Sequence, residues 1–154
     1  MSTIYVTRSA IRQALSIVCS GLAISQDGKS IEVSGLLLGA EIPNGIVITS
    51  AVAGEQVSTE LASKLDENFM ARIAHDMATG KTKGRIVGLF HSHPGIGIFM
   101  SQQDVRTLAN FQRLYPNFVM MVIDPLDEDF ERCYTFFRYH DETGSAQPFA
   151  VDEI

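Results

Sequence analysis

With 154 residues, a net charge of −6, 45% hydrophobic and 19% charged residues, the chain has the make-up of one soluble globular domain. No apolar run is long enough to span a bilayer and no Lys/Arg cluster offers a nucleic-acid footprint, which excludes membrane and nucleic acid as main partners. Cys19 and Cys133 are too few for a disulfide framework, and the N-terminal MSTIYVTRSA does not read as a secretory leader, so a cytoplasmic location is expected.

Ile4-Tyr5-Val6 reads as a short strand, after which Thr7 can cap a helix with Ile11, Leu15, Val18 and Leu22 at helical spacing. A polar turn at 25–30 precedes residues 32–39 (EVSGLLLG), a run with the character of a buried strand. Asn44-Gly45 suits a tight hairpin into the strand 46–48. Ser58 or Thr59 opens a second predicted helix, with Leu61, Leu65, Phe69, Ile73 and Met77 on one face and Gly80 closing it. Residues 86–90 form the next strand and run straight into His91. An apolar loop with two glycines, 95–100, then leads to a third helix from about Ser101 to just before Pro116. Residues 118–123 read as a buried strand stopped by Asp124-Pro125, and 132–139 as another strand after a turn. From His140 onward the chain is polar and carries Gly144 and Pro148, so a loosely held tail is expected. Strands and helices interleaved around hairpins indicate a single mixed α/β domain rather than a regular βαβ winding.

Chemistry concentrates in His91-Ser92-His93-Pro94 and in Ser101 and Asp104, the last lying eleven positions after His93. Residues i and i+2 of a strand share a face, so both imidazoles can reach one ion, and Ser92 points the other way. Asp104 falls in the first turn of the following helix, which the loop allows to fold back over the strand end. Two neutral nitrogens and one hard oxygen suit Zn²⁺ and leave a fourth position for water, the arrangement of a catalytic rather than a structural zinc site. Other readings stand beside this one. A His-x-His pair is common by chance, and Ser101-x-x-Asp104 resembles a helix-capping box with Asp in place of the usual Glu or Gln. His75 and His140 have no metal spacing and read as structural or solvated histidines.

The segment His91-Ser92-His93-Pro94, with Ser101 and Asp104 at these offsets, resembles the HSHPx(6)SxxD motif of the JAMM (MPN+) metalloproteases. The resemblance extends to Glu32 within EVSGLLLG, to Val87-Gly88, Gly95, Gly97 and Asp124-Pro125, and it covers about Tyr5 to Tyr139. Within the family it lies nearest the branch of the proteasome lid and the signalosome. The brevity of the chain points to an archaeal-type or otherwise minimal single-domain version, free-standing as a monomer or homodimer.

The resemblance implies a single MPN/JAMM domain over residues 1–140 with a polar tail at 141–154. The implied fold is cytidine-deaminase-like, a central, mostly antiparallel sheet flanked by helices. It implies zinc on His91, His93 and Asp104, Glu32 as the general base that activates water, and Ser101 as oxyanion stabiliser. Taken without that resemblance, Glu32 reads as a solvated strand-edge carboxylate. The implied activity is an isopeptidase that releases ubiquitin or a ubiquitin-like modifier from lysine amines of its conjugates, with a functional link to the proteasome. A hydrolase for a sulfur-carrier or modifier precursor and a non-catalytic MPN scaffold are the alternatives. In this family the modifier tail lies near the 95–100 loop, where Ile98, Phe99 and Met100 could face either that tail or the core; the core is expected for at least one of them.

Overall fold

In the computed structural model, which describes residues 3–23, 33–53, 75, 79, 84–95, 97–127, 129 and 133–154, Thr7 caps the first helix as expected. Its Oγ1 accepts a hydrogen bond from Ala10 N at 3.1 Å and its carbonyl accepts one from Ile11 N at 3.2 Å, satisfying donors that the first helical turn leaves without partners. The helix, α1, runs Arg8–Ala23. A second, α2, covers Gln102–Leu114. The strands are β1 (Thr3–Val6), β2 (Ser34–Ile42), β3 (Gly45–Ala53), β4 (Arg85–Ser92), β5 (Val119–Ile123), β6 (Tyr134–His140), β7 (Ser145–Phe149) and β8 (Asp152–Glu153). None of the described helices is long and apolar enough to cross a membrane.

The strands form one sheet in the order β7-β6-β5-β4-β2-β3-β1-β8. Four of its seven pairings are antiparallel (β2 with β3 and β4, β5 with β6, β6 with β7) and three are parallel, in keeping with the mixed, mostly antiparallel sheet expected. The edge strands β7 and β8 are separated only by Ala150 and Val151. Three residue steps reach at most about 11 Å, whereas eight flat strands would set their edges about 34 Å apart. The sheet must therefore curl until its edges approach. The Tyr134 hydroxyl, at the start of β6, donates to Glu153 Oε1 on β8 at 2.6 Å and fastens that closure.

Each face of the sheet carries its own core. On one, Ala10, Ile11, Ala14 and Val18 of α1 pack on Leu37, Ile46, Ile48, Val87, Phe90 and Met121. On the other, Leu108 of α2 packs among Leu36, Leu38, Leu89, Met120, Val122 and Phe137. Past an irregularity in the β2–β4 register at Val87, alternation along β4 puts Leu89 on the α2 face and Phe90 on the α1 face, and the same phase carries His91 toward α2. The docking of α2 is locked by Gln112, whose Nε2 donates to the Tyr139 carbonyl at 2.9 Å and whose Oε1 accepts from Tyr139 N at 2.8 Å.

Two expectations are corrected. The strand expected over 46–48 extends through Ala53, because its partner β2 pairs with it from Gly35 to Ile42. The tail is not loosely held: β7 pairs with β6, and β8 pairs with β1 while Ile154 N donates to the Val6 carbonyl. Edge strands are half solvated and so need little apolar patterning, and Pro148 is tolerated at such an edge. The helix predicted between Ser58 and Gly80 lies outside the described residues except at His75 and Thr79, where Thr79 N donates to the His75 carbonyl at 2.9 Å in the i to i−4 pattern of a helix.

Candidate metal centre

β4 ends in the α2-facing phase, so Leu89 is followed on that face by His91 and then His93. The parallel pairing with β5 continues past the strand, with His93 N donating to the Ile123 carbonyl at 2.7 Å. On α2, Asp104, Leu108 and Phe111 lie one turn apart on a single stripe. Burial of Leu108 in the core thereby brings Asp104 to the end of β4. The result is a buried cluster of His91 Nε2, His93 Nε2 and Asp104 Oδ2. The separations are 3.0 Å between the two nitrogens, 3.1 Å from His91 to the carboxylate oxygen and 3.4 Å from His93 to it.

These distances test whether a metal fits. Ligand atoms about 2.0–2.1 Å from a tetrahedral zinc stand about 3.3 Å from one another. The three atoms match that spacing and converge on one point, which is what a tetrahedral ion lacking its fourth protein ligand requires. Two imidazoles and one carboxylate are also the donor types zinc favours. Burial alone would push the Asp104 carboxyl up. Hydrogen bonds with His91 and His93, the charge of His91 and the Ser101 N–H outweigh it and hold the carboxyl well below the usual carboxylate range. Asp104 is thus ionised and ready to ligate.

Ser101 is the N-cap of α2, and the capping box is complete. Its Oγ accepts from Asp104 N at 3.1 Å, while its own N–H donates to Asp104 Oδ2 at 3.0 Å. The oxygen that faces the histidines is therefore the one the backbone orients, as outer partners of metal ligands commonly do. Because the Ser101 hydroxyl acts as an acceptor toward the helix, its own proton remains free to donate elsewhere. Capping and a chemical role are compatible in one side chain.

Ring contacts continue the site outward. The His93 ring meets Phe99 at a 40° tilt with centroids 4.6 Å apart. Among the described residues its buried Nδ1 has no hydrogen-bond partner. Of the three apolar loop residues, Ile98 and Met100 pack against the α2-side core, whereas Phe99 is 44% exposed. Glu32 lies outside the described residues. The residue after it, Val33, is buried and is gripped by Ser92, whose N–H donates to the Val33 carbonyl and whose Oγ accepts from Val33 N, each at 2.9 Å. One rung further along, Ser34 pairs with His91.

Two residues here were not singled out from sequence. Ser92 alternates to the face opposite His91, and its side chain ties β4 to the start of β2. Asp124 read as a strand stop, yet its carboxylate holds the loop after the histidines. An Asp-Pro pair closing a buried strand and two nearby glycines were the available signals, and neither states what the carboxylate binds.

Comparisons with known proteins agree with this geometry. Residues 3–117 match the family described as JAB1/Mov34/MPN/PAD-1 ubiquitin protease. The chain is 33% identical over 105 residues to COP9 signalosome complex subunit 5 of Emericella nidulans, covering 66% of this chain and 31% of that protein. It is 31% identical over 126 residues to the 26S proteasome regulatory subunit RPN11 of Candida glabrata, covering 80% and 39%. The ubiquitin carboxyl-terminal hydrolase RPN11 of Saccharomyces cerevisiae is 30% identical over the same length, with the same coverage. The chain thus spans 31–39% of the length of these relatives.

Proposed function

Since the chain belongs to the JAB1/Mov34/MPN/PAD-1 family, we propose that it is a zinc-dependent isopeptidase that cuts ubiquitin or a ubiquitin-like modifier from lysine amines. The observation that carries this reading is the convergence of His91 Nε2, His93 Nε2 and Asp104 Oδ2 in one buried cluster with tetrahedral spacing. The activity named for the yeast relative, a ubiquitin carboxyl-terminal hydrolase, supports a substrate with a ubiquitin-type C-terminus.

His91, His93 and Asp104 would hold the ion. Zinc bound there would polarise a substrate carbonyl and lower the pKa of a water molecule. Glu32 is assigned the proton traffic: its carboxylate would take the proton from the attacking water and deliver it to the departing lysine amine. Ser101 is assigned the developing oxyanion. Its hydroxyl, fixed as acceptor toward Asp104 N, has a proton to donate to a charge that grows beside the ligand carboxylate. Cys19 and Cys133 are not joined by a disulfide, in line with the reducing, cytoplasmic setting we propose. A non-catalytic scaffold would have no use for a buried three-ligand cluster.

The test is cleavage of lysine-linked conjugates of ubiquitin and of ubiquitin-like modifiers by protein loaded with one equivalent of zinc. Cleavage that a chelator abolishes and zinc restores supports the reading. A zinc-loaded protein that cleaves no member of the panel sinks it. Ser101→Ala separates the two duties of that residue. Loss of the cap should cost about 1 kcal/mol of stability, and loss of the oxyanion donor should lower kcat about 10²–10³-fold. A Ser101→Ala protein with a lowered melting temperature and unaltered kcat would confine Ser101 to capping.

A further inference from the structure

After His93 the chain does not cross open solvent but wraps around a buried carboxylate. Asp124, at the end of β5, accepts three backbone hydrogen bonds: Oδ1 from Gly95 N at 2.9 Å and from Leu126 N at 3.0 Å, and Oδ2 from Gly97 N at 3.0 Å. Presenting both loop amides to one carboxylate requires a backbone that turns the left-handed way, and Gly95 and Gly97 have φ of +74° and +88°. The same carboxylate therefore fixes two separate segments, the loop after the histidines and the turn after β5.

Each of these segments presents an exposed apolar side chain. Phe99 lies on the His93 ring with 44% of its surface free, and Leu126 is 54% exposed. Leu126 Cδ1 lies 3.3 Å from where a Cβ at Gly95 would stand, so this side chain covers the loop beside the metal ligands. The position a Cβ would take at Gly97 has no atom within 4 Å. Open backbone at Gly97, with apolar side chains on the segments tied to it, suits an extended peptide, whose main chain can approach closely there.

We propose that Asp124 is a positioning residue for substrate, holding Phe99 and Leu126 where they grip the extended tail of the modifier beside His93. The proposal rests on the isopeptidase reading above and adds the residues that govern how tightly the tail is held. It predicts an effect on KM rather than on the chemical step, because Asp124 contacts none of the three ligand atoms.

Asp124→Asn is the sharpest test. The amide keeps the shape but replaces one oxygen by a donor, which cannot accept from a backbone N–H. The smaller loss keeps the oxygen that accepts twice, from Gly95 and Leu126, and releases Gly97. Kinetics are measured on whichever lysine-linked conjugate of ubiquitin or a ubiquitin-like modifier the zinc-loaded wild type cleaves. KM should rise about tenfold, with kcat and zinc content retained and with faster hydrogen exchange at the Gly97 amide. Leu126→Ala, an exposed change that does not burden folding, should raise KM about threefold. The double variant should show less than the product of the two effects, because both act through one rim. Unaltered KM in Asp124→Asn, or a fall in kcat or zinc content in its place, overturns the proposal. Should Asp124→Asn not fold, unaltered KM in Leu126→Ala overturns it as well. A zinc-loaded wild type without activity overturns the isopeptidase reading itself, and is thereby distinguished from a failure of this inference.

Discussion

Glu32→Gln is expected to lower kcat about 10²–10⁴-fold, the usual contribution of a positioned general base, while zinc content and melting temperature stay at wild-type values. Gln has nearly the same size and reach as Glu but is not basic, so it can neither take a proton from water nor pass one to an amine. The proposed ligands among the described residues are His91, His93 and Asp104, and the change removes none of them. Zinc analysis, thermal melting and single-turnover cleavage of a lysine conjugate on the same preparation give the full comparison. Equal rates for Glu32→Gln and wild type would remove Glu32 from the proposed chemistry. Loss of zinc together with activity would recast Glu32 as part of the metal environment.

The second large effect concerns stability. An ion that binds only the folded chain stabilises it by RT ln(1 + [L]/Kd), about 2.7 kcal/mol when free zinc is a hundred times Kd. For a domain of this size that corresponds to a rise in melting temperature of about 5–10 °C. Chelator should reverse the rise. In His91→Ala the rise should vanish, because the two remaining ligands cannot hold the ion tightly. The readout is the zinc-induced shift rather than the baseline, since removing a buried imidazole also changes packing. A wild-type melting temperature indifferent to zinc and chelator would count against a zinc site at this cluster.

Much of the centre was legible in the sequence because its constraints are local. His91 and His93 are two residues apart on a strand, so strand geometry alone places both rings on one side. Ser101 and Asp104 are three apart at a helix start, so capping geometry alone brings the hydroxyl and the carboxylate to the same end. β1, α1, β4, α2 and β5 were visible for the same reason, each having a strong apolar period and a cap or breaker at its end. The tail was misjudged because β7 and β8 draw their order from partners far away in sequence, β6 and β1. A polar edge strand carries no periodic signal of its own.

The sequence by itself determined the donor types, their spacing within two short motifs and the character of the helix and strand that carry them. The tertiary structure alone decided that the motifs meet: burial of Leu108 against the sheet and the Gln112 clamp on Tyr139 bring α2 to the end of β4. It also decided that Ser92 ties β4 to the residue after Glu32 and that the Asp124 carboxylate gathers the loop after the histidines. Local spacing follows from covalent geometry and can be read along the chain. Contacts between Ser92 and Val33 or between Gly95 and Asp124 join residues 59 and 29 positions apart, and they form only when the sheet brings distant segments into register.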